Sequence, residues 1–297
     1  MTEKQSIIFF GLARGGSSVT CDIVGNLALA AGMKWLDVGK ELYDQGIPLS
    51  EAANMNKDHF PETGHFIGPF REVPKWLLEK DLSKFKIVIV TRDPRDCVVS
   101  HYFAMRHYHS VFVPGQKTDF SQKGRELGKE LDEYVLDEAA PYEMTSLNLI
   151  TLARKYPESL LFRYEDIYDL GERWVYLINE LLGILDDRIP LNIVGKAHFK
   201  AEKEDVNVHK RKGTPGDFRE KLKAETQAML TKTFDPINSQ FLELAYKSDG
   251  DDVAQVEQLW GLLKDQYQII VELQRQNHLR KTEIHKLTDQ LNELRGS

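Results

Sequence analysis

The sequence predicts an α/β protein built on a three-layer open sheet, mostly parallel, with a long C-terminal helix or coiled coil appended. Three observations carry this. Short runs such as Ile7–Phe10, Ile87–Val90 and Leu160–Phe162 are apolar throughout, as strands buried on both faces are. Each of these runs ends in a glycine-rich or charged turn and is followed by a helical stretch, the β-α order of a parallel sheet. From residue 249 onward the pattern changes to a heptad repeat.

The first strand, Ile7–Phe10, leads into a turn with Gly11, Gly15 and Gly16 and then a helix over Thr20–Ala30. Gly32 closes that helix, and Lys34–Val38 reads as a second short strand. Residues 39–63 are polar and interrupted by Pro48 and Pro61, consistent with a helix or two and loops, before a strand around His65–Phe70. Pro74 opens a helix to about Ser83. Ile87–Val90 is β-branched and belongs at the sheet centre, with Pro94 starting the helix after it. Residues 108–120 read as an irregular loop, and the charged stretch Ser121–Glu138 as a solvent-facing lid or insertion. A helix over Tyr142–Lys155, the strand Leu160–Phe162 and a helix containing Trp174–Leu185 complete the pattern.

The composition of the 297 residues, 41% hydrophobic and 29% charged, is that of a soluble globular protein. A formal net charge of −7 argues against a nucleic-acid partner, so local Arg and Lys clusters point to a small anionic ligand. No apolar run is long enough to span a membrane, and the N-terminus lacks a secretory pattern, so a cytoplasmic location is expected. Cys21 and Cys97 are expected to be packed thiols, since two cysteines make neither a disulfide framework nor a zinc site.

The turn Gly11–Gly16 has the glycine spacing of a nucleotide-triphosphate phosphate loop, but Ser17 stands where that motif carries its lysine. Its cation is Arg14, and Ser17 and Ser18 add hydroxyl donors at the start of a helix. The alternative is a surface turn with no ligand. Arg92 leaves the next central strand, and Ser100 lies two helical turns further on, where both can face one ligand; a surface ion-pair turn is the competing reading. Residues 209–218 form a basic, glycine-containing flap that includes Arg211, Lys212 and Gly213. In an open α/β sheet the carboxyl ends of the strands share one rim, so these groups can converge.

Two domains are expected, 1–248 and 249–297. In the second, Val256, Leu263, Ile270, Asn277, Ile284 and Leu291 occupy heptad position a. Leu259, Gln266, Leu273, Arg280, Leu287 and Leu294 occupy d, and nine of these twelve are apolar. This pattern indicates a homodimer through the coiled coil, with a helix folded back on the globular part as the alternative.

Four segments together resemble the sulfotransferases that use 3′-phosphoadenosine 5′-phosphosulfate, PAPS. Residues 11–20, GLARGGSSVT, are similar to that family's 5′-phosphosulfate loop, closest to the form found in carbohydrate sulfotransferases. Residues 90–100, VTRDPRDCVVS, resemble its 3′-phosphate motif; residues 162–167, FRYEDI, its Tyr-Glu-Asp segment; and residues 209–220, HKRKGTPGDFRE, its terminal motif. The resemblance implies a P-loop-like sheet and PAPS as co-substrate with adenosine 3′,5′-bisphosphate, PAP, as product. It also implies no metal, and an acceptor that is a small molecule or glycan. It assigns Arg14, Gly15, Gly16, Ser17 and Ser18 to the 5′-phosphosulfate, Arg92, Ser100, Arg211, Lys212 and Gly213 to the 3′-phosphate, and Tyr164 to the adenine. Val19 stands where many members carry a stacking Trp, and Phe199 is the candidate substitute or else a core residue. The position of the family's catalytic base falls in residues 68–74 and points to Glu72, with His65 and His59 behind it. The competing functions are a phosphate-loop kinase or nucleotide-binding protein, and a non-catalytic scaffold.

Overall fold

The computed structural model describes residues 4–49, 60–110, 113–119, 124, 127–185, 189–197, 199 and 213–245. All of these belong to one unit, Met1–Lys247. Arg211, Lys212, His59 and the C-terminal heptads lie outside the described residues.

Five strands form one parallel sheet: β1 (Ile7–Gly11), β2 (Lys34–Leu36), β3 (His65–Phe70), β4 (Lys86–Thr91) and β5 (Leu160–Arg163). Their order across the sheet is β2-β3-β1-β4-β5. Side chains alternate between two cores, as the two-residue repeat of a strand requires. Ile8, Phe10, Ile67, Ile87 and Ile89 enter one, and Ile7, Phe9, Phe66, Val88 and Val90 the other. Both faces are covered, which explains why the strand sequences show no polar alternation.

The helices are α1 (Ser17–Ala30), α2 (Val38–Gln45), α3 (Lys75–Glu79), α4 (Pro94–His107), α5 (Leu131–Asp137), α6 (Ala139–Lys155), α7 (Tyr164–Leu170), α8 (Glu172–Leu182), α9 (Leu191–Val194), α10 (Phe218–Lys221) and α11 (Ala224–Ala245). α1 and α8 pack on the Phe9 side, and α4, α6 and α11 on the Phe10 side. Asp37 ends the β2 segment two residues earlier than expected because its carboxylate accepts from Lys40 N at 2.9 Å and caps α2, drawing Val38 into the helix. Within the stretch expected to be a lid, α5 is a core element: Tyr134 and Val135 are buried, and Tyr134 packs edge-on against Tyr102. α11 has no counterpart among the sequence expectations. It buries Leu230, Phe234, Ile237, Phe241 and Leu244 despite Pro236 within it.

The connection from β1 leads towards β2 on one side, whereas the helices after β4 lead to β5 on the other. The strand order therefore reverses between β1 and β4, and a ligand crevice is expected outside the carboxyl ends of these two strands.

Candidate functional site

That crevice is where the first glycine turn sits. Leu12 N donates to Val90 O at 3.0 Å, tying the exit of β1 to β4, and Gly15 N donates to Leu12 O at 2.8 Å to close the turn. Gly11 permits α1 to start against the strand, since a β-carbon there would lie 2.5 Å from Ser17 Cβ. Ser17 is consequently buried, leaving Ser18 as the more accessible hydroxyl. Gly16 caps α1 at φ 82° without a side-chain acceptor. The amides of Gly16, Ser17, Ser18 and Val19 have no backbone acceptor among the described residues. A row of unpaired amides at a helix start is suited to phosphate oxygens.

Arg14 has left-handed backbone, φ 64°. Its Nε donates to Ser100 Oγ at 3.3 Å, its Nη2 donates to the Tyr108 hydroxyl, and its guanidinium lies 5.5 Å from the Tyr108 ring centre. The cation of the first turn and the serine of the second segment, 86 residues apart, thus meet.

Arg92 is built differently. Its side chain is 8% exposed, with Nη2 donating to Asp96 Oδ2 at 3.2 Å and to Thr214 O at 3.1 Å, and its guanidinium stacks 4.7 Å from the Tyr164 ring centre. Its Nε is buried without a hydrogen-bond partner among the described residues. Asp96 also accepts from Gly216 N at 2.7 Å and Phe218 N at 3.0 Å, so one carboxylate ties the C-terminal end of the flap to the first turn of α4. Burial raises its pKa, opposed by Arg92 and by those two amides.

Tyr164 closes the other side. A β-carbon on Gly16 would stand 2.3 Å from Tyr164 Cδ2, so only glycine lets the ring reach the turn. Its hydroxyl donates to Gly213 O at 3.0 Å, and burial pushes its pKa up to about 12. Phe199 is 2% exposed and meets Tyr164 edge-on at 6.2 Å. Both rings are buried: Tyr164 carries Arg92 over its ring and meets the turn at Gly16, and Phe199 sits as the core residue that was the alternative reading of it.

Glu72 follows the end of β3, whose Phe70 pairs with Phe10 beside the turn, so it stands at the same rim. It has no hydrogen-bond or ion-pair partner among the described residues, and partial desolvation raises its carboxyl pKa although its side chain is exposed. His65 does not join it. It opens β3 five residues before Phe70, about 16 Å along the strand, at the amino-terminal end and away from the rim, with Nδ1 2.7 Å from Thr63 O.

Sequence reasoning missed two contributors. Tyr108 holds Arg14, and Arg71 Nη2 donates to Ser18 Oγ at 3.2 Å. Neither contact has a local pattern, because the partners are 94 and 53 residues apart. Cys21 and Cys97 are buried, and desolvation pushes both thiols well above their ordinary pKa.

The family model described as "Sulfotransferase domain" matches residues 65–248. The match begins at β3, ahead of which lies the glycine turn. Among solved structures, the chain is similar to mouse sulfotransferase SULT7A1 complexed with PAP, at 17% identity over 85% of this chain and 88% of that one, with a TM-score of 0.52. A sulfotransferase from Alicyclobacillus acidocaldarius matches at 14% identity over 84% of this chain and 99% of that one, with a TM-score of 0.46. A search of the curated proteins returned no match.

Proposed function

The chain belongs to the sulfotransferase domain family, and from that premise we propose that it transfers a sulfuryl group from PAPS to a hydroxyl or amine of an acceptor, a glycan or another hydroxylated metabolite. The observation that carries the donor assignment is the meeting of Arg14 with Ser100 at the reversal of strand order, beside four amides without a backbone acceptor among the described residues. The mouse sulfotransferase of similar fold is a PAP complex, in keeping with that donor.

The residues fit such a group. The buried Arg92 Nε lacks a partner among the described residues, as a donor awaiting an anionic oxygen would. In this reading Arg14, Ser18 and the amides of residues 16–19 hold the 5′-phosphate. Arg92, Ser100 and the flap residues Arg211, Lys212 and Gly213 hold the 3′-phosphate. Charge grows on the leaving phosphate during transfer, so preset donors there lower the barrier without a metal. Glu72 takes the proton from the acceptor. The bond between sulfur and the bridging oxygen breaks, its electron pair staying on the phosphate, while a bond from sulfur to the acceptor oxygen forms.

Thermal shift of the full chain tests the donor: PAP should raise the melting temperature and ATP with Mg²⁺ should not. Stabilisation by ATP–Mg²⁺ alone would favour a kinase or nucleotide-binding protein. The reading extends to a cytoplasmic homodimer, with residues 1–248 as the catalytic domain and 249–297 as its coiled coil. No helix among the described residues is long and apolar enough to cross a membrane. Truncation after Asp249 should halve the mass by light scattering; an unchanged mass would contradict the coiled-coil dimer.

A further inference from the structure

We infer that Arg71, which lies outside all four segments of family resemblance, is a second cation of the reaction and contacts the transferring sulfuryl group between the donor turn and Glu72. The inference rests on the sulfotransferase reading above and adds a residue to that site. Arg71 Nη2 donates to Ser18 Oγ at 3.2 Å. A guanidinium only donates, so the Ser18 hydroxyl accepts this bond and keeps its own proton for a ligand oxygen. The 5′-phosphate then takes the Ser18 proton, and the donors that Arg71 does not spend on Ser18 are left for the sulfuryl oxygens next to it.

The rest of its surroundings leave the charge uncommitted. The positive field of Arg71 reaches Cys21 on α1, Asp37 before α2 and Tyr43 on α2, and it lowers the pKa of each against the effect of burial. Asp37 is engaged in capping α2, and no carboxylate lies within ion-pair distance of Arg71 among the described residues. The guanidinium is exposed and planar, and its remaining donors can take two oxygens side by side.

Position in the chain supplies the rest. Arg71 and Glu72 are consecutive, with Cα atoms about 3.8 Å apart; Arg71 reaches the donor turn, and Glu72 is the base of the proposed reaction. In an in-line transfer the sulfur lies between the bridging oxygen and the acceptor oxygen, and its three other oxygens lie around that axis. A cation standing between Ser18 and Glu72 meets those oxygens. As the bridging bond breaks and the acceptor bond forms, the sulfuryl oxygens stay within its reach, and Arg71 neither gains nor loses a proton.

The test exploits the fact that PAPS carries the sulfuryl group and PAP does not. Dissociation constants for both are measured on the full chain as wild type, Arg71→Ala and Arg71→Lys, with single-turnover transfer of labelled sulfate. Arg71→Ala should weaken PAPS about tenfold or more while leaving PAP within about twofold, the scale of one charge-assisted hydrogen bond. Transfer should slow by about 10²-fold, with Arg71→Lys recovering part of the loss. Equal weakening of PAPS and PAP, or no change in either, would overturn the inference. So would a loss confined to the KM of the acceptor, which would assign Arg71 to an anionic group there. Should Arg71→Ala not fold by circular dichroism, Arg71→Lys is read by the same ratio. Wild-type protein that binds neither nucleotide would overturn the donor reading, and this inference with it.

Discussion

The turns leaving β1 and β4 each carry an arginine, and the two are held in opposite ways. Arg92 is enclosed, paired with the Asp96 carboxylate and stacked on Tyr164. Arg14 lies at the rim in left-handed backbone, with the hydroxyls of Ser100 and Tyr108 on its guanidinium. A buried ion pair fixes geometry at the cost of desolvating both charges, whereas a cation held by hydroxyls can exchange them for phosphate oxygens at little loss. The contrast places Arg92 in the architecture, joining α4, α7 and the flap, and leaves Arg14 available for the chemistry of the proposed function.

Removing the buried cation should cost most. Arg92→Ala leaves the Asp96 carboxylate buried without its counter-charge, held only by the Gly216 and Phe218 amides, and urea unfolding should report a loss of about 3–5 kcal/mol. The double variant Arg92→Met with Asp96→Asn should recover part of it. If the single variant is nearly as stable as wild type, Arg92 is not architectural and the contrast fails.

Gly16→Ala comes next. It adds a β-carbon at φ 82° against Tyr164, and left-handed strain plus overpacking should cost about 2–4 kcal/mol. Donor affinity should fall with it, because the ring can no longer close on the turn; unchanged PAP binding would separate Tyr164 from the site.

Glu72 sharpens the chemical side. With Glu72 as the base of the proposed reaction, its desolvation-raised pKa should place the acid limb of kcat/KM above that of a free glutamate. The active form is the carboxylate: activity is present above that pKa and is lost as pH falls through it. Glu72→Gln should remove the transfer while leaving PAP binding intact. An acid limb that persists in that variant would assign the base elsewhere.

The smallest effect belongs to Tyr108→Phe, which deletes the hydroxyl beside Arg14 and keeps the ring. Stability should change by about 1 kcal/mol, well below the effect at Arg92. A loss comparable to that of Arg92→Ala would mean that Arg14 is as structural as its counterpart.

The same contrast governs what was legible in the sequence. Strands buried on both faces announce themselves, and β3, β4 and β5 emerged within a residue or so of expectation because nothing but apolar packing decides them. The two arginines were legible as residues, since each stands in the turn that leaves a strand. Their partners were not: Asp96 reads as an ordinary surface ion pair until the flap amides close over it, and Tyr108 and Arg71 arrive from distant turns. His65 was readable as misplaced, because an open parallel sheet binds at the carboxyl ends of its strands and His65 begins one. α11 escaped because Pro236 interrupts a pattern whose buried positions otherwise recur every three or four residues.

The claim at the centre is that Arg14 works on the departing 5′-phosphate of the phosphosulfate donor. Transfer of labelled sulfate from PAPS to a panel of glycan and small hydroxylated acceptors, by wild type and Arg14→Ala side by side, tests it most directly. The account predicts transfer by wild type and a loss of about 10²–10³-fold in Arg14→Ala, the scale of removing one preset transition-state donor, with the melting temperature nearly unchanged. Equal transfer by both proteins would contradict it.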